Sequence, residues 1–174
     1  MKHHGALRLT LLAVLVIAAL SVPVHVLEVR GVKEDRALVV RRVVPGDAFS
    51  LGFIHSVEKT PVRDFYSIDA SYRMVQRETV FSSCNTGLPV ALAGREKLLR
   101  EGNHFRVTGM ERVFPEILLW VDEPYDNTLI FDDDGVVRLA SPGAGARLLR
   151  VVVKRMTAAG LMREKIAAGV NGLR

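Results

Sequence analysis

The chain has 174 residues, 49% hydrophobic and 25% charged, which suffices for one domain with a genuine core and a terminal extension. Its net charge of +5 is uneven: seven Lys/Arg stand against Glu164 alone from Ser141 onward, and residues 1–140 are close to neutral. The absence of a basic stripe with interleaved aromatics argues against nucleic-acid binding. One cysteine, Cys84, allows neither an intramolecular disulfide nor a Cys/His zinc motif.

A short basic start is followed by residues 9–27, which carry no charge. A helix needs roughly 20 such residues to cross a bilayer core. The densest part, residues 11–20, also has the length of a secretory h-region. Residues 1–25 are therefore expected to be a signal peptide or a transmembrane anchor, with small residues at Ala19 and Ser21 for cleavage and a break at Pro23. Both readings put the rest of the chain on the extracytoplasmic side, because positive charge precedes the segment.

From Val26 the pattern turns to period two. Residues 26–32 and 36–44 read as strands joined at Lys33-Glu34-Asp35, and Pro45-Gly46-Asp47 as a loop. Residues 48–57 form the next strand, with Phe49, Leu51, Phe53, His55 and Val57 on one face and Ser50, Gly52, Ile54, Ser56 and Glu58 on the other. Residues 62–70 and 72–81 follow as a hairpin. Residues 91–101 are read as a short helix or an excursion loop. Further strands are expected at 105–108, 116–121, 128–131, 136–139 and 148–153. Asp132-Asp133-Asp134-Gly135 reads as a hairpin turn, since its spacing is not that of an EF-hand. Residues 156–170 read as an amphipathic helix with Ala158, Leu161, Met162, Ile166 and Val170 on a stripe. The tail 156–174 is basic, helical or flexible, and expected to stay solvated.

Many short strands with Gly/Pro turns imply an all-β fold over residues 26–155. An antiparallel β-sandwich, immunoglobulin-like or not, and a barrel all fit, with a hydrophobic helix before and a short helix after.

The polar groups cluster at His55, Ser56, Glu58 and Thr60, ahead of Pro61. Neighbours in a strand face opposite ways, so His55 does not serve Ser56 as a base, and no nucleophile elbow occurs elsewhere. No catalytic residue, metal ligand or cofactor is assigned, and the chain is not read as an enzyme. Metal binding by His55 with Glu58 or Glu78 is chemically sensible, but His55 and Glu58 have opposite parity. The preferred reading is a buried polar knot in which His55 bonds a carbonyl or a carboxylate such as Glu78, while Glu58 and Thr60 tie down the turn.

The stretch His55-Ser56-Val57-Glu58-Lys59-Thr60-Pro61-Val62 resembles the signature of domain of unknown function family 1850, small exported bacterial proteins with an HSVE-x-TP-V box. The likeness also takes in residues 26–30, Pro45-Gly46-Asp47, Glu78-Thr79 and Gly87-Leu88-Pro89. Relatives differ in having Gly/Ala where this chain has Cys84-Asn85-Thr86, and a histidine where Asn127 stands. Members are often encoded beside TRAP transporters of the TAXI type. The resemblance thus implies an accessory of such a transporter, contacting the permease or its solute-binding protein, with the membrane reached through the N-terminal segment. The alternative is a periplasmic domain that binds a small ligand or metal at His55, Glu58 and Glu78.

Overall fold

The computed structural model describes residues 2–82, 92–132, 135–140, 142–143 and 145–169. Helix α1 covers Lys2–Ser21, and strand β1 starts at Pro23 and runs to Gly31. The uncharged run is therefore divided: Pro23 has no N–H to continue a helix, and the chain beyond it joins a sheet. The helical part of that run is about 13 residues, or about 20 Å, against a hydrocarbon core of about 30 Å. Among the described residues, no helix is long and apolar enough to cross a membrane.

The fold is mostly β, with antiparallel sheets and one helix at each end. The smaller sheet has the order β2 (Ala37–Arg42), β1, β12 (Arg147–Thr157), β9 (Glu116–Val121). The larger runs β11 (Gly135–Arg138), β10 (Thr128–Phe131), β3 (Ala48–Ile54), β4 (Pro61–Ile68), β5 (Met74–Phe81), β7 (His104–Thr108), β6 (Lys97–Glu101), with β8 (Arg112–Phe114) also on β5. Alternation decides which side chains meet between the sheets. Leu27, Val29, Leu149 and Val151 of the small sheet pack against Phe49, Leu51, Tyr66, Met74 and Leu129 of the large one. Each such side chain, fully buried, contributes about 1.5–3 kcal/mol. This shared core is consistent with the expected sandwich.

Helix α2 (Ala158–Gly169) follows β12 directly and lies on the outer face of the small sheet. There Leu161 and Met156 cover Val24, Val26, Ala37 and Val40. The C-terminal helix is thus packed, where a solvated tail was expected.

Three further differences concern the large sheet. Residues 97–101, expected as helix or loop, form strand β6. They pair with β7 through a two-residue turn whose Gly102 sits at φ +60°, so hairpin geometry overrides the helix-forming side chains. Strand β8 has no periodicity of its own and continues β7 along β5 past an irregularity at Gly109, which sits at φ +72° against the Arg95 carbonyl. Strand β3 ends at Ile54, three residues early. The turn at 132–135 joins two paired strands as expected, with Phe131 opposite Gly135; Asp133 and Asp134 lie outside the described residues, as do Cys84 and residues 83–91.

Candidate functional site

The box opens where β3 stops. Ile54 pairs with Pro61, and between them the chain makes a tight turn closed by His55 N–H donating to the Thr60 carbonyl (2.9 Å) and Lys59 N–H to the His55 carbonyl (2.9 Å). The imidazole completes the turn from within. Its Nδ1 accepts from Val57 N–H (3.3 Å) and Glu58 N–H (3.2 Å), which leaves the hydrogen of the neutral ring on Nε2. Lys59 takes a left-handed backbone at φ +54°, a conformation uncommon for a side chain larger than glycine. Its ammonium lies 5.5 Å from the centre of the Tyr125 ring, on the 3-10 turn Glu123–Tyr125.

The knot expected from sequence is therefore only partly assembled. Glu78 is on the outward side of β5, opposite Phe65, and pairs with Arg106 Nη1 at 2.7 Å. It does not meet His55, because the box lies beyond the end of the ladder while Glu78 sits inside it. Ser56 is exposed. Thr60 contributes its backbone carbonyl, and its Oγ1 is buried without a hydrogen-bond partner among the described residues. The parity argument fails here because the strand has already ended at Ile54. Among the described residues, no group of three or more His, Cys, Asp or Glu is placed to hold a metal ion. The structure thus brings His55 and Glu58 together in one turn, through the Glu58 N–H, and pairs Glu78 with Arg106. Asn127 is buried and accepts from Asp122 N–H at 3.2 Å.

Two polar clusters escaped the sequence reading. In the large sheet, Asp64 faces the core between its partners Leu51 and Thr79, accepting from Gln76 Nε2 at 3.0 Å. Burial pushes its carboxyl above the usual range, against the pull of Thr79 and Gln76. Burial, with the Asp64 charge, pushes the Tyr66 phenol up as well. The signal was present in Val62-Arg63-Asp64-Phe65-Tyr66, where a carboxylate falls on the apolar parity.

Beneath α2, Glu28 is 1% exposed and held by Arg30 Nε (2.9 Å) and Lys154 Nζ (2.7 Å). Burial raises its carboxyl, but the two cations together outweigh that and hold it below the ordinary range. Arg30 also reaches Glu164 of α2 at 3.4 Å. A separate cavity of about 210 Å3, lined among others by Arg41, Asp47, Phe49, Phe131 and Asp132, takes in no residue of the box.

The geometry defines an antiparallel β domain that carries a rigid, self-capped surface turn. The chain belongs to the family described as a domain of unknown function (DUF1850), matched over residues 49–136. That match runs from β3 into β11 and contains the whole box. No curated protein and no solved structure matches the chain.

Proposed function

We propose that the protein is an extracytoplasmic accessory of a TRAP-TAXI-type transporter, acting by contact with the permease or its solute-binding protein. The observation that carries this reading is the use of the box's polar groups. The His55 ring holds two amides of its own turn, so its acceptor nitrogen shapes the backbone. What the turn offers outward is Val57, 66% exposed, with Ser56 and Lys59 beside it. A preorganised loop with an apolar tip suits recognition of another protein, since little ordering entropy is lost on binding. We read the fold itself as a sandwich rather than a closed barrel, because among the described residues β2, β9, β11 and β6 end their sheets without a second partner.

The test is affinity capture from detergent-solubilised membranes of the native host, using the full chain and Val57→Asp. The wild-type chain is expected to retain transporter subunits and the variant to lose them, with an unchanged unfolding midpoint because Val57 is solvated. His55→Ala, which frees the turn, should also lose them. Equal retention by all three proteins, or no transporter subunit with any of them, overturns the reading.

A further inference from the structure

We infer that α1 and α2 together form a docking face for an anionic lipid surface. The inference rests on the membrane-side placement proposed above, and not on the transporter contact.

Helix α2 is amphipathic in two directions. Leu161, Glu164 and Ala168, spaced three and four residues apart, turn toward the small sheet and are partly buried. Met162 and Ile166, also four apart, turn away and are 58% and 67% exposed. Ala159 extends that outer stripe, and the exposed Arg163 and Lys165 flank it on either side. The one acid of the helix, Glu164, is withdrawn from this face toward Arg30. An apolar stripe between basic flanks is the pattern of a helix lying in the headgroup region.

Helix α1 adds exposed apolar surface beside α2. It touches α2, and the joint is fixed by Ala158 N–H donating to the Val22 carbonyl at 2.9 Å. Every side chain of residues 11–20 is exposed, including Leu12, Leu15 and Ile17, and no acid occurs before Glu28. An apolar helix with basic flanks can lie along a bilayer without spanning it. The charge distribution selects the lipid: seven Lys/Arg against Glu164 alone from residue 141 onward account for the whole positive excess of the chain, and basic residues near a negative leaflet are attracted over about a Debye length.

The experiment is vesicle co-sedimentation of the full chain with phosphatidylcholine alone, and with equal parts phosphatidylcholine and phosphatidylglycerol. Binding is expected to favour the anionic vesicles and to weaken with salt. Arg163→Glu with Lys165→Glu should cut binding to anionic vesicles by about tenfold or more and abolish the preference. Met162→Asp with Ile166→Asp should reduce binding to both vesicles by about tenfold. Both pairs are solvated, so far-UV circular dichroism and the unfolding midpoint should match wild type. Equal wild-type binding to the two vesicles, or variants that bind like wild type, overturns the proposal. So does a lipid-free dimer, seen by sedimentation velocity, that the apolar pair of substitutions dissolves; that result assigns the face to a second copy. The vesicles hold no transporter, so failure here leaves the capture experiment to stand or fall separately.

Discussion

Glu28 and Asp64 are both carboxylates withdrawn from water, and their neighbours set their proton affinities in opposite directions. Glu28 faces two cations, and its proton is held less tightly than the ordinary value of 4.5. Its contribution to stability is present above about that pH and is lost as pH falls through the lower folded value. Asp64 faces Leu51, Thr79 and Gln76, and burial lifts it above 3.8. Its contribution is present below about 3.8 and is lost as pH rises through the folded value. Urea unfolding at several pH values separates the two. Glu28→Gln should lose about 2–3 kcal/mol at neutral pH, a figure lowered from the usual buried pair because Lys154 is 38% exposed, and the deficit should shrink in acid. Asp64→Asn, which keeps an acceptor for Gln76, should be at least as stable as wild type at neutral pH. A loss comparable to that of Glu28→Gln would show that the Asp64 charge is compensated. The sequence placed both residues in strands but not in these roles. Lys154 meets Glu28 only through the β1–β12 register, which no local pattern encodes. The same limit applies to the box: its density of polar groups was visible, while the early end of β3 decided that His55 caps a turn instead of facing Glu78.

At the scale of elements, long alternating runs were legible, and pieces whose existence depends on a partner were not. Strands β1, β2, β4, β5 and β9 lie close to their expected ranges, because alternation with one buried face leaves little freedom of register. Strand β6 was misread because Leu98, Leu99 and Glu101 favour helix locally, and only the Gly102 turn and the β7 edge make them extended. Helix α2 was recognised as a helix, but its apolar stripe did not say which part is covered. Leu161 is held against Val24, Val26, Ala37 and Val40, while Met162 and Ile166 stay outside. Deleting residues 158–174 would expose this patch and take Glu164 away from Arg30. Loss of about 2–3 kcal/mol is expected, since the fully buried Val26 and its neighbours Val24 and Val40 regain water. Calorimetry of the truncated chain against the full one measures it, and an unchanged midpoint would mean that the helix rests on the sheet without stabilising it.

For the whole molecule, the matched family region and the folding unit are different lengths of chain. Residues 49–136 supply nearly all of the large sheet, yet from the small sheet they supply only β9. The face of the large sheet that carries Phe49, Leu51 and Leu129 is closed by Leu27 and Val29 of β1 and by Leu149 and Val151 of β12, with Val43 and Leu139 at the margins. All six closing residues lie outside the match. Strand β1 also pairs with β12 over its full length, from Pro23 opposite Thr157 to Gly31 opposite Leu149. The two ends of the chain thus close one ladder, and neither end forms it alone. A fragment of residues 49–136 should therefore expose the apolar face, bind a hydrophobic dye and unfold without a cooperative transition. A fragment of residues 22–169 retains both sheets and α2, and should unfold cooperatively in urea. Sharp, two-state unfolding of the 49–136 fragment would mean that the large sheet satisfies its own core, and that the small sheet is an addition to a domain already complete.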